Sequence, residues 1–186
     1  MEELPYQLYH AEKWDELHEC ISTLGYMSRQ FSTNNIHEFI LYWRTLKQAD
    51  ASKYKISQAY IEQIMGSMAE KAEMVVMLQW AYWQMFRKDV IRLTNICISY
   101  LNDLDAAYEL VEFLIRMCDQ MADGDTSEER CSFHNLAGMI CIRKKEYIQA
   151  LKEYREGLSL AVHAYGEDDL EITSYPVSYT HLRAHE

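Results

Sequence analysis

The fold of this chain is decided by residues 132–166, which read SFHNLAGMICIRKKEYIQALKEYREGLSLAVHAYG. The stretch holds two sets of apolar residues at the three- and four-residue spacing of an amphipathic helix, separated by a basic turn. We therefore predict a helical hairpin whose second helix ends at Gly166. The apolar set of the first helix is Phe133, Leu136, Ala137 and Ile140, and that of the second is Tyr147, Ala150, Leu151, Tyr154, Leu158 and Ala161.

Apolar stripes of the same kind continue upstream and predict six further helices. Two positions carry a capping box, in which a Thr or Asn is followed three residues later by Glu. These pairs are Asn35 with Glu38 and Thr126 with Glu129. The predicted helices cover residues 14–24, ended by Gly25; 36–46; 55–65, ended by Gly66; 74–85; 91–101, before a turn at 102–104; and 107–118.

The composition favours an all-α fold and narrows the class of function. Among 186 residues there are only 6 Gly and 2 Pro, too few for the turns of a many-stranded β protein. A formal net charge of -11 argues against nucleic acid as a partner, because its binders concentrate Lys and Arg. Five scattered cysteines, an odd number, indicate reduced thiols. With no signal peptide and no apolar run of about 20 residues, we predict a cytoplasmic protein without membrane insertion.

An internal comparison indicates a repeat. Ala107 and Ala150 lie 43 residues apart and hold equivalent places in their helices. Each is followed by larger apolar or aromatic residues four and eight positions on. A small residue at a helix crossing lets two backbones approach closely, so both alanines are predicted to face a partner helix.

These residues resemble the tetratricopeptide repeat (TPR), in the longer form of the kinesin-light-chain and nephrocystin-3 type. The resemblance implies a right-handed α-solenoid of helical hairpins, with its best repeat at 132–166 and another at 89–121. The turn before Tyr147 departs from the pattern, since it is one residue longer and lacks the usual glycine. The repeat-defining residues would be Leu136, Ala137, Tyr147, Ala150, Tyr154, Leu158 and Gly166.

The N-terminal part resembles a different element. Residues 3–8, ELPYQL, and 14–17, WDEL, are similar to a helical arm of signalling ATPases of the STAND group, as in nephrocystin-3 and tetratricopeptide repeat protein 41. The resemblance implies an arm at 1–88, TPR-like repeats at 89–173 and an ATPase module upstream. The chain itself has no phosphate-binding G-x-x-x-x-G-K-[ST] loop. Residues 176–186 resemble a translated cDNA-library adaptor, so we expect residues 174–186 to be a non-native or disordered tail.

The predicted function is a protein–protein interaction scaffold, a fragment of a larger intracellular signalling ATPase. A groove on the first helix of the hairpin would bind a protein or peptide, or another domain of the parent protein. The alternatives are an intramolecular regulatory arm of that ATPase and a small all-helical enzyme. The nephrocystin-3 resemblance also allows association with a cilium. The candidate partner-binding residues are His134, Asn135, Gly138 and Arg143, chosen because they alternate with the predicted core.

We predict no catalytic, cofactor or metal site, because each candidate constellation lacks a necessary part. The possible zinc ligands have no second pair of His or Cys residues close by in sequence, and the possible calcium loop has Arg130 where a bidentate glutamate is required. The possible cysteine nucleophile has no third group to orient its histidine. The aromatic set is interpreted as core. These constellations are His10, His18 and Cys20; Asp119, Asp123 and Asp125; Cys131 with His134; and Trp80, Tyr82, Trp83 and Phe86.

Overall fold

A computed structural model describes residues 3–33, 35–69, 76–120 and 126–165 of the chain. The regular secondary structure in these ranges is helical throughout, which confirms the all-α prediction. The chain divides after Ala106 into two compact units. The elements are α1 (Glu3–His10), α2 (Trp14–Ile21), α3 (Leu24–Ser32), α4 (Ile36–Ala49), α5 (Ile56–Ala69), α6 (Val76–Ile96), a π-helical turn (Cys97–Leu101), α7 (Leu104–Gln120), α8 (Ser127–Lys144) and α9 (Tyr147–Tyr165).

The first unit is built around aromatic side chains of α4 and α5. The ring centroids of Trp43 and Tyr60 lie 5.8 Å apart, and Phe39 stacks on Tyr60 at 6.3 Å. Rings of this size fill the space between packed helices. The buried Tyr60 hydroxyl donates a hydrogen bond to the Ile21 carbonyl at 2.6 Å, so its polar end is satisfied.

Two helices in the first unit were predicted to end at a glycine, but in the structure neither glycine terminates a helix. The helix predicted at 14–24 ends at Ile21, and Gly25 lies inside α3. Thr23 is extended, and its hydroxyl oxygen accepts a hydrogen bond from the Tyr26 amide at 3.2 Å, so it caps α3. Gly66 likewise lies inside α5. The capping box predicted at Asn35 is not formed, since its side chain makes no capping hydrogen bond.

Helix α6 is longer than predicted. It passes without a break through residues 88–89, where the domain boundary was expected, and continues into the π-helical turn. Asn102 ends that turn in the left-handed conformation, with φ of 48°, at the predicted position. Lys47 Nζ contacts Asp103 Oδ2 at 2.8 Å, and Arg44 Nη2 donates to the Tyr100 carbonyl at 2.9 Å. These two contacts fasten the end of the π-helical turn to α4.

Helices α8 and α9 form the predicted hairpin of the second unit. Lys145 closes the turn between them with φ of 65°, in place of the usual glycine. Ala150 and Tyr154 are buried against Cys141, as expected for a close helix crossing. A Cβ atom added to Gly138 would lie 2.9 Å from the Tyr154 ring, so this approach depends on the glycine.

Several predicted features of the hairpin differ from the structure or lie outside the described residues. Tyr147 was expected in the buried stripe but is exposed, because it opens α9 ahead of the crossing at Ala150. Thr126 forms no capping bond; its hydroxyl donates to the Cys118 carbonyl at 3.4 Å instead. Ala137 is buried, whereas Leu136 and Leu158 are half-buried. Of the residues named in these predictions, Gly166 and the tail at 174–186 lie outside the described ranges.

Among the described helices, none combines the length and the apolar composition needed to cross a bilayer.

Candidate functional site

The second unit has a cleft of about 740 Å³ beside the turn between α8 and α9. We call it the turn cleft. Its wall on one side is the start of α7, and on the other side the turn and the first residues of α9. The lining residues are Tyr108, Glu112, Lys145, Glu146, Tyr147, Ile148 and Gln149.

Two apolar side chains form the rim of the turn cleft. Ile148 is 87% exposed and Tyr147 is 49% exposed. They occupy the outward positions of the first turn of α9, because Ala150 and Leu151 take the positions that face the core. A single exposed apolar residue is ordinary. Two adjacent ones on the edge of a cleft offer apolar area to an incoming side chain.

The floor of the turn cleft rests on a hydrogen-bonded cluster around Glu153. Tyr108 and Gln149 line the cleft, and both donate to Glu153 Oε1, at 2.8 Å and 2.6 Å. Gln149 also donates to the Tyr108 hydroxyl at 3.0 Å. His134 Nδ1 lies 2.9 Å from Glu153 Oε2. The cluster therefore joins α7, α8 and α9 through one carboxylate.

The electrostatics of this cluster favour an ionised Glu153. Burial alone would raise the pKa of the carboxyl, but the hydrogen bonds from His134, Tyr108 and Gln149 outweigh it and lower the pKa. An ionised carboxylate only accepts hydrogen bonds, so we assign the proton between the two residues to His134 Nδ1. Burial, together with the bond to Glu153, raises the pKa of Tyr108 far above its usual value, so its hydroxyl stays protonated as a donor.

The thiol beside this cluster is unsuited to nucleophilic chemistry. Cys141 is fully buried, and its burial raises the pKa of the thiol to about 11. A nucleophilic cysteine needs the thiolate, which is scarce at neutral pH when the pKa is raised. Cys131 is also buried, and the ring of His134 is hydrogen-bonded to Glu153.

Charged side chains at the turn cleft are partly paired. Lys144 Nζ contacts Glu146 Oε1 at 3.0 Å and lies 5.4 Å from the centroid of the Tyr108 ring. Glu112 and Lys145, on opposite walls, form no ion pair with any described residue. The rim thus offers one charge of each sign to a partner, next to the apolar pair.

The structure separates the four candidate residues of the predicted groove. Gly138 is buried against Tyr154, so the expectation that it faces outward is wrong. His134 also points into the hairpin, toward Glu153. Asn135 is half-buried and Arg143 is exposed, and a partner-binding role for these two stays a prediction. The physical reason is that the face of α8 carrying residues 134 and 138 packs on α9.

No partner-binding role was predicted from the sequence for the residues of the turn cleft. One signal was present: Glu153 is a charged residue between Ala150 and Tyr154, on the inward face of an apolar stripe. A carboxylate at such a position needs partners, because burying it without hydrogen bonds is costly. Its partner Tyr108 is 45 residues away, so no local spacing identifies it.

Among the described residues, those considered for metal binding are not brought together. The ring of His18 packs against Trp43 at 5.6 Å and Tyr54 at 5.2 Å, and burial lowers its pKa. Within the described ranges, no three His, Cys, Asp or Glu side chains are grouped closely enough to hold an ion. Asp123 and Asp125 lie outside those ranges. Of the aromatic set, Trp83 and Phe86 are buried.

Comparison of the chain with models of known protein families, with curated proteins and with solved structures finds no match. The resemblance to TPR proteins and STAND ATPases thus stays a prediction from the residues quoted above.

Proposed function

We propose that this protein is a protein-interaction module that binds a peptide or a protein segment in the turn cleft. The observation that carries the proposal is the exposure of Ile148 and Tyr147 on the rim of a cleft of about 740 Å³. The proposal includes the TPR-like arrangement of hairpins in a right-handed solenoid, which the α8–α9 hairpin supports. Membership of a signalling ATPase rests on the N-terminal resemblance alone.

Binding would be driven by covering the apolar rim. Fully burying an isoleucine side chain contributes about 1.5–3 kcal/mol. A partner side chain lying between Ile148 and Tyr108 would gain this contact without rearranging the floor. Three side-chain hydrogen bonds to Glu153 already hold that floor in place. A preorganised site loses less conformational entropy on binding.

The site is proposed to bind rather than to catalyse. Its carboxylate accepts three hydrogen bonds, its tyrosine is kept protonated, and the adjacent Cys141 is kept as a thiol. Groups held in these states stabilise the hairpin. A general acid or base would need a pKa near the working pH.

The test is selection of peptides from a random display library on the full chain, followed by affinity measurements with the selected peptides. Ile148→Asp should weaken binding by roughly ten-fold or more, equivalent to about 1.4 kcal/mol. The matched control is Met139→Asp, because Met139 is 52% exposed in the same hairpin and does not line the turn cleft. Equal affinities for the two variants would refute the proposed site.

A further inference from the structure

A second cavity, in the first unit, has a different chemical character. It measures about 240 Å³ and lies between the end of α3, the start of α4 and the later part of α6. Phe31, Ile36 and Ile96 form its apolar part, and Arg92 and Asn95 form its polar edge. Phe31 and Ile96 are buried, and Arg92 and Asn95 are exposed. An apolar floor therefore lies directly beside a guanidinium and an amide.

We propose that this cavity is a docking site for an acidic peptide segment, which inserts one apolar side chain and places carboxylates on α6. The size of the cavity favours a single side chain. Binding sites for small organic ligands usually measure about 300–1,000 Å³. The inference is independent of the turn cleft, because none of the lining residues is shared.

The positive charge on α6 indicates that the partner is negatively charged. Lys88, Arg92 and Asn95 are spaced at i, i+4 and i+7, which places them on one face of the helix. Neither Lys88 nor Arg92 forms an ion pair with any residue in the described ranges. Like charges four residues apart on a helix destabilise it. An external carboxylate removes that repulsion.

The nearest acidic residue of the same helix is already engaged. Asp89 accepts a hydrogen bond from the Ser28 hydroxyl at 2.8 Å, which directs its carboxylate toward α3. The chain as a whole carries a net charge of -11, so Lys88 and Arg92 place two positive charges on one helix face of an acidic protein. Arginine and asparagine side chains both donate hydrogen bonds, and the planar guanidinium matches a carboxylate in a two-bond geometry. Aspartate or glutamate next to an apolar residue is the complementary pattern.

The test uses fluorescence anisotropy of the full chain with labelled seven-residue peptides. Each peptide carries a central Leu or Phe flanked by glutamates, and a matched set carries lysines in their place. The glutamate set should bind, and binding should weaken as salt is raised. Arg92→Glu should reduce the affinity at least ten-fold and should favour the lysine set instead. Asn95→Phe, which fills the mouth of the cavity, should also abolish binding.

The control variant is Arg116→Glu, because Arg116 is exposed in the second unit and changes the net charge by the same amount. Equal loss of affinity in Arg92→Glu and Arg116→Glu would assign binding to net charge and overturn the proposal. Competition by free glutamate as effective as the peptide would also overturn it, since a small anion would then suffice. A change of oligomeric state in Arg92→Glu, measured by sedimentation, would instead assign the cavity to a second copy of the chain.

Discussion

Replacing Gly138 by alanine tests how closely α8 and α9 approach each other. Alanine is the better helix former, and in open space the exchange gains about 0.5–1 kcal/mol. At Gly138 the added Cβ would lie 2.9 Å from the Tyr154 ring, well inside van der Waals contact. Tyr154 is only 2% exposed, so its ring can move away from the added Cβ only by displacing other buried atoms.

The clash is expected to outweigh the gain in helix propensity. Overpacking a buried site costs about 1–3 kcal/mol, so subtracting a propensity gain of about 0.5–1 kcal/mol leaves a net loss of up to about 2.5 kcal/mol. For a unit of this size, about 1 kcal/mol corresponds to a Tm shift of about 4–8 °C. Thermal melts followed by circular dichroism measure this shift.

The matched control is Gly66→Ala, because Gly66 lies inside α5 with nothing within 4 Å of the added Cβ. That variant should be slightly more stable than the parent, so the two exchanges should have opposite signs. In a Tyr154→Leu background, Gly138→Ala should no longer destabilise, since the ring is gone. If Gly138→Ala and Gly66→Ala have the same effect, the hairpin is more loosely packed than the distance indicates.

Two further predictions concern the same unit. Ala150→Arg should unfold the α8–α9 hairpin, because it adds an unpaired charge and excess volume at a fully buried position. Arg143→Ala changes an exposed position near the end of α8 and should cost only a few tenths of a kcal/mol. Limited proteolysis of both variants decides this, and resistance of the Ala150→Arg hairpin would contradict the packing. Glu153 stabilises the fold above its unfolded pKa, near the ordinary value of 4.5, and this contribution is lost as pH falls through the lowered folded pKa. Urea unfolding should therefore show a stability difference between the parent and Glu153→Gln that is constant above about pH 5 and shrinks below it. A difference that persists unchanged at about pH 3 would show that Glu153 is not held as an anion.

The hairpin could be predicted from sequence because its signals are local. The spacing of Ala150 and Tyr154 identifies the inward face of α9 without information from distant segments, and both residues are buried. The boundary near Gly25 was predicted wrongly because a capping bond at Thr23 decides the helix start, and a glycine near a helix end is compatible with either outcome.

The candidate site could not be predicted because its parts come from distant segments. Glu153 is stabilised by Tyr108 of α7 and His134 of α8, and no periodicity within α9 specifies those partners. The inward direction of Gly138 depends on where the Tyr154 ring lies. The left-handed turn at Lys145 also went unpredicted, since a lysine carries no turn preference of the kind glycine does.

The distribution of indole rings gives the two units separate spectroscopic signatures. All four tryptophans of the chain precede residue 107, so their fluorescence reports on the first unit alone. Trp43 and Trp83 are 1% exposed, and loss of their apolar surroundings should shift the emission to longer wavelength. Circular dichroism reports helices of both units. Transitions that coincide by the two methods would indicate one cooperative unfolding step, and transitions that separate would indicate two.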